Sequence, residues 1–500
     1  MHHKNIKKEV IAQLKKEFPN WKRLPKKMKK ELADKVLKEI IDGYDFEQDI
    51  AAPAEELLGI ENQISGDGII KLDEMARFID RITSDRIIKF SNYDRSAIYI
   101  KDEELQFIDQ LIDDKVINAL LAYDSYSPSM RETFLSHLFR AELLKAIKYP
   151  EISYRKFCTE EYFGLDRKQN RVFIGLPLHR NTTIDHYELS KFRNNITFVQ
   201  QINLLVYFLH HFYQSELLGD CTLCGVDSTE LDNDCNIPLA SIKIKGKKIR
   251  IYGDLDCDCG ARRNKRNKSP YVVGYRLHTL TVIDAQSKQS YPLVSLLAPA
   301  NHHDSHFLPF LVRMAQAMGL ELNLVTADEA YHDKDGTLFE ETGVIVTTPP
   351  SSTVNAPENV NTKTGEVFCH SECAIPMQHI GSEGQELEYK CNAESGQCLH
   401  SDTCPQCRFL PMDRGLFQRI PFASKGIEDA HEIRKNCERP FNLLKNQAGL
   451  EKVRVRSQRA TITRCTFATI VVLLIKMAGK RKKRKVVKEP MHLLDRAVNM

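Results

Sequence analysis

Apolar positions in the first 220 residues recur with the period of a helix. KELADKVLKEIID (30–42) and DEELQFIDQLIDDKVINALLAY (102–123) carry it, as do YRKFC (154–158), HYELSKFRNNI (186–196) and FVQQINLLVYFLHHFYQSELL (198–218). From residue 221 the texture changes to short β-like runs: CTLCGVDST, SIKIKGKKIRIYG, VVGYRLHTLTVID and YPLVSLLAP. FLPFLVRMAQAMG (307–319) returns to helical period, LNLVTADEA is an apolar run ending in acids, and GVIVTTPP is a further short strand. Strands followed by alternating helix and strand predict a mixed α/β domain. Residues 349–426 break the pattern. They are rich in Pro, Ser, Gly, Asn and Cys, have little periodicity and are too polar to build a core of their own, which predicts an insertion. Helical period resumes at 427 and runs to about residue 479.

The expected organisation is therefore a helical N-terminal region (1–150), a helical segment leading into the core (151–220), a core in two parts (221–348 and 427–479), the Cys-rich insertion between them (349–426) and a tail (480–500). The strongest apolar run, CTFATIVVLLI (465–475), lies between Arg464 and Lys476. It falls short of the roughly 20 residues needed to span a bilayer and predicts a buried helix. No membrane partner is expected.

Length and charge sharpen the picture. Five hundred residues exceed one ordinary core, and a hydrophobic content of 42% is enough to fill a sizeable one. The net charge of +4 hides an uneven distribution. Residues 1–40 hold 13 Lys/Arg against 5 Asp/Glu, residues 41–120 hold 19 acids against 8 bases, and residues 452–488 hold 13 bases and no acid. Basic ends around an acidic segment suggest a polyanionic partner, most simply DNA or RNA; solvated helix faces and a solubilising tail are the plainer alternative. The start, MHHKNIKKEV, is polar and shows no leader, so a cytoplasmic, nucleoid-associated protein is expected. Fourteen cysteines in such a compartment suggest free thiols and a metal site rather than a disulfide framework.

The chemistry concentrates in a few acids. Two-metal phosphodiester chemistry needs two or three carboxylates converging from different elements, because Mg²⁺ prefers oxygen ligands and keeps some of its waters. Asp227 lies in the apolar run LCGVDST, Asp328 ends LNLVTAD, and Glu438 sits in HEIRKNCERPFNLLK (431–445). Each acid alone could simply cap a turn or helix. Asp254, Asp256 and Asp258 in GDLDCD compete for the first place but lie in a Gly- and Arg-rich connection; Glu329 and Asp333 compete with Asp328. At about 100° per residue, His431, Arg434, Glu438 and Lys445 fall at about 0°, −60°, −20° and −40° on one helix face. Pro440 is placed to kink that helix and turn Lys445 away.

These fragments resemble, in their order, the DDE transposases of bacterial and archaeal insertion sequences. In particular they resemble the hairpin-forming branch with a Tyr-x2-Arg-x3-Glu-x6-Lys motif, which this chain matches at His431, Arg434, Glu438 and Lys445 with His in place of Tyr. GVDST resembles the strand of the first Asp, GYRLH (274–278) the Gly-Tyr-Lys-x-His strand, ANHHD (300–304) the Asn-x-His-Asp turn and TADEAY (326–331) the second-Asp segment. HYELSKFRN (186–194) resembles the Ser-x-Phe-Arg segment that precedes the catalytic domain. The resemblance covers about residues 150–479.

It implies an RNase H-like mixed sheet with helices, interrupted by the insertion and preceded by the helical region. It also implies Mg²⁺- or Mn²⁺-dependent cleavage of element ends and strand transfer into target DNA. Asp227, Asp328 and Glu438 would bind the metals, and Arg434 and Lys445 would hold phosphate oxygens; His431 would stand where the family's Tyr positions terminal DNA. The partners would be terminal inverted repeats and target DNA, with the protein a homo-oligomer on DNA. A transposase-derived DNA-binding protein without catalysis and a nuclease that does not join strands are the rival readings.

The insertion poses a separate question. Cys369-x3-Cys373 and Cys404-x2-Cys407 have the spacing of structural zinc ligands, with His370, Cys391, Cys398 and His400 nearby. Zn²⁺ would explain how so polar a stretch folds; unliganded thiols in a loop are the alternative. Cys221-x2-Cys224 has similar spacing, but core packing is expected there.

Overall fold

The computed structural model describes residues 68–84, 100–122, 135–179, 181–219, 221–233, 240–244, 247–262, 269–284, 289–302, 304–331, 337–349, 358–361, 364–370, 375–384, 386–392, 406–411 and 432–484, with isolated positions before residue 37 and Pro238. Among them, secondary structure up to residue 219 is helical, with Met75–Ser84, Glu103–Asp109 and Asp114–Leu121 leading to α1 (Leu135–Lys148), α2 (His186–Asn195) and α3 (Phe198–Gln214). Short polar residues start these helices. Asp102 and Asp113 accept the free N–H groups of the first turns, and Thr197 with Gln200 forms a reciprocal capping box on α3. Buried Glu142 of α1 pairs with Arg193 of α2 and accepts the Tyr154 hydroxyl at 2.7 Å. The two buried charges thus offset each other inside the helical layer.

The main sheet is mixed. Its strands are β1 (Leu223–Asp232), β4 (Asp258–Ala261), β5 (Tyr271–Ile283), β6 (Ser290–Pro299), β7 (Leu324–Ala327) and β8 (Ile345–Thr347), while β2 (Ala240–Ile244) and β3 (Lys247–Ile251) form a separate two-stranded ribbon. Across the sheet the order is β6-β5-β1-β7-β8, with β4 sharing the outer edge of β5. β1, β5 and β6 are antiparallel; β7 and β8 continue parallel to β1. Three antiparallel strands followed by two parallel ones are consistent with an RNase H-like fold. β5 is buried along nearly its whole length, so its sequence is an almost continuous apolar run rather than an alternation.

α4 (Leu308–Ala317) packs on β5 and β6. The last described helix, which we number α6 (Gln458–Arg484), lies between β6 and the helical layer of α1, α2 and α3. Its segment Gln458–Gly479 is long and apolar enough to cross a bilayer, with mean hydropathy 1.6, but 78% of that window is buried inside the protein. A helix apolar on every side is then a core helix. One apolar cluster runs through all these layers, from Ile69 to Ala478.

Two expectations need correction. The segment expected to be too polar for a core of its own has one: β9 (Gln378–Glu383), β10 (Glu386–Lys390) and β11 (Cys407–Pro411) form an antiparallel sheet over a small cluster of Val367, Cys369, Met377, Leu387, Tyr389 and Leu410. ELEYK alternates, burying Leu387 and Tyr389 and exposing Glu386 and Lys390. Nor is the Glu438 segment one regular helix. It passes from a 3₁₀ turn (Lys435–Cys437) through α5 (Glu438–Asn442) into a π turn (Leu443–Gln447). Pro440 has no N–H for the ladder, and the hydrogen-bonding period changes on both sides of it. A constant angle per residue therefore does not describe the face carrying Arg434, Glu438 and Lys445.

Candidate active site

The parallel pairing of β1 and β7 builds the first half of the site. Val226 stands opposite Ala327, so Asp227, still within β1, and Asp328, the first residue past β7, stand side by side where that pairing ends. Each carboxylate is held by its own following backbone: Ser228 N–H donates to Asp227 Oδ1 at 2.7 Å, and Ala330 N–H donates to Asp328 Oδ1 at 3.0 Å. The second bond belongs to the 3₁₀ turn Glu329–Tyr331 that Asp328 opens.

Glu438 arrives from the other end of the chain, and a glycine admits it. Cys437 is buried against β1, where a Cβ at Gly225 would lie 2.1 Å from its Sγ. Gly225 and Asp227 are two apart on one strand and share a face. Seating Cys437 on Gly225 therefore places Glu438 beside Asp227. Ser290 at the start of β6 adds a tether, donating its hydroxyl to Asn436 O at 2.8 Å.

The electrostatics report the same convergence. Burial pushes the Asp227 carboxyl up to about 6, and the negative charges of Asp328 and Glu438 push the same way; the Ser228 N–H and Arg434 oppose them. Burial also pushes the Cys437 thiol up to about 12, with Asp227 and Glu438 adding to the shift and Arg434 opposing it. The structure thus brings together Asp227, Asp328, Glu438 and Arg434. Lys445 is half-buried in the π turn; His431 lies outside the described residues.

Three of the competing acids are otherwise engaged. Buried Asp254 accepts from Asn233 Nδ2 at 2.7 Å, the Tyr275 hydroxyl at 2.8 Å, Asp256 N–H at 3.1 Å and Ser457 N–H at 3.0 Å. Asp256 accepts Gln458 N–H at 3.0 Å. Both clasp the start of α6. Asp258 accepts Cys259 N–H at 2.8 Å, Glu329 is exposed, and Asp333 lies outside the described residues.

Residues without an assigned role from three sequence fragments meet behind the two aspartates. Asp304 is buried, accepts Arg276 Nη1 at 2.9 Å and accepts the Ser228 hydroxyl at 3.1 Å. The Tyr331 hydroxyl lies 2.7 Å from His278 Nδ1, and His278 stacks on Phe307. The signal was present in GYRLH, ANHHD and TADEAY, but only the fold shows that they meet.

An all-oxygen donor set carrying surplus negative charge fits a hard divalent cation. Among the described residues, no group of three or more His, Cys, Asp or Glu side chains is placed to hold a metal ion. Of the zinc candidates, Cys369 is buried in the small apolar cluster and Cys407 begins β11 opposite Lys390; Cys373, Cys398, His400 and Cys404 lie outside the described residues.

Residues 242–474 match a family model described as a transposase DDE domain. No curated protein matches the chain. The matched span contains Asp328 and Glu438 and begins after Asp227. The match spans just under half of the chain, and over that span the chain is similar to a transposase DDE domain.

Proposed function

We propose that the protein is a DNA transposase that cleaves insertion-sequence ends and transfers them to target DNA. The observation that carries this is the meeting of Asp227, Asp328 and Glu438 around a buried strand end, two of them within the matched domain. These three carboxylates would hold the divalent ions, Mg²⁺ or Mn²⁺. When bound, such ions supply an activated oxygen nucleophile and shield charge on the leaving oxygen. Arg434, beside Asp227, offers a forked donor to a phosphate oxygen, and Lys445 a point charge. At the element end, water oxygen attacks phosphorus and the 3′-oxygen leaves. In the joining step that 3′-hydroxyl attacks a target phosphodiester, so one such bond forms as another breaks.

The spacing of Arg434, Glu438 and Lys445 supports the hairpin-forming branch, with His431 in the place of its Tyr. The four cysteines Cys369, Cys373, Cys404 and Cys407 form a structural zinc site in the same reading. The test is Glu438→Gln, which keeps size and removes charge. End cleavage should vanish while end binding persists, and Asp227→Asn and Asp328→Asn should behave alike. Normal cleavage by Asp227→Asn, with loss in Asp254→Asn or Asp256→Asn, would overturn the choice of first carboxylate. Cleavage without joining by the wild type would make the protein a nuclease.

A further inference from the structure

Ser228 and Tyr331 each anchor one of the two aspartates toward β5 behind the site. Ser228 follows Asp227 directly, and its N–H holds that carboxylate. Tyr331 ends the 3₁₀ turn that begins at Asp328, and its N–H donates to Asp328 O at 3.0 Å. Each residue is then fixed to the sheet. The Ser228 hydroxyl donates to Asp304, which is also bound to Arg276 of β5; the Tyr331 hydroxyl meets His278 of the same strand. Asp304, Tyr331 and His278 are almost wholly buried. Each Asp304 oxygen already has a donor, one from Arg276 and one from Ser228, so its carboxylate is committed to the protein.

We propose that Asp304, Arg276, Tyr331 and His278 are positioning residues that fix the separation of Asp227 and Asp328, and with it their affinity for divalent cations. Strand pairing alone leaves that separation underdetermined, because β7 ends at Ala327, one residue before Asp328. Beyond that point the chain is held by its turn and by Tyr331. Removing the Tyr331 hydroxyl lets the Asp328 turn relax from β5. Removing the Asp304 charge frees Ser228 and Arg276 together. The inference rests on the metal-dependent reading above.

The test is Mn²⁺ binding to the purified full chain, followed by the paramagnetic resonance signal of free Mn²⁺ and without DNA or turnover. Wild type, Tyr331→Phe, Asp304→Asn and Asp227→Asn are compared, with thermal melting as a check on folding. Hydrogen-bonded partners behind metal ligands typically change affinity by about 10–100-fold, so Tyr331→Phe and Asp304→Asn should each weaken Mn²⁺ by about tenfold or more. Tyr331→Phe keeps the ring packing, so its melting point should stay near that of wild type even if Asp304→Asn folds poorly. Wild-type affinity in Tyr331→Phe and in folded Asp304→Asn, with loss in Asp227→Asn, would overturn the positioning role and leave the metal reading standing. Wild-type affinity in Asp227→Asn would overturn both.

Discussion

Gly225→Ala tests how Glu438 reaches the site. Alanine replaces glycine favourably in a strand by about 0.5–1 kcal/mol when nothing stands in the way. Here the new Cβ lies 2.1 Å from Cys437 Sγ and 3.1 Å from Ile283 Cδ1. Overpacking of that kind costs about 1–3 kcal/mol, so a net loss of about 1–2 kcal/mol is expected. Cys437→Ala alone removes a buried sulfur and should cost on the order of 1 kcal/mol or more. In the double variant the methyl introduced at position 225 takes the space the sulfur vacates, so the combined loss should fall short of the sum by about 1–2 kcal/mol, as expected for residues in contact. Urea denaturation of the four proteins measures this directly. End cleavage supplies an independent reading: Gly225→Ala pushes Glu438 outward, and a displacement near 1 Å can cost about 10²-fold in rate. The double variant should recover part of that rate. Strictly additive stabilities, or a Gly225→Ala protein as stable and active as wild type, would refute the docking described here.

Other expectations concern charge and metal. The Asp227 carboxyl is raised from its usual 3.8 to about 6, so it favours the fold when protonated; that contribution is complete below about pH 4 and is lost as pH rises through 6. In metal-free buffer at pH 8, Asp227→Asn should therefore be more stable than wild type by on the order of 2–3 kcal/mol, and Mn²⁺ affinity of the wild type should climb through pH 6 and then level off. Deleting residues 480–485 should weaken binding to all DNA sequences alike and flatten the salt dependence measured by filter binding, because phosphate contacts release counterions; unchanged binding at every salt concentration would leave the tail a solubiliser. Protein purified without chelators should carry near-stoichiometric zinc by elemental analysis, and joint replacement of Cys404 and Cys407 by Ser should release it.

The strands of the main sheet were legible because their burial is simple. Runs such as VVGYRLHTLTVID and LNLVTAD are apolar on both faces, and acids at their ends stand out. Partnership was not legible. Nothing near Gly225 announces that its missing side chain is a seat for Cys437, more than 200 residues away. Asp254 and Asp227 look alike as isolated acids; only the donors around Asp254 separate a clasp from an open carboxylate. Pro440 did signal irregular winding, but the change of period depends on how Cys437 and Leu444 are buried on either side. The strands of the insertion were missed because five-residue alternations such as ELEYK are too short to stand out beside many polar neighbours.

The position of α6 has a consequence for how the protein is made. This helix joins the sheet to the helical layer, yet it comes last among the described elements, after Glu438. A growing chain that has emerged only as far as the insertion holds Asp227 and Asp328 but lacks both the third acid and the helix that completes its interior. The ribosome therefore releases the chain through about residue 478 before the three acids can meet on a completed core. A chain ended within 438–478 lacks part of this helix, so it should fold incompletely rather than merely lose affinity at the acids.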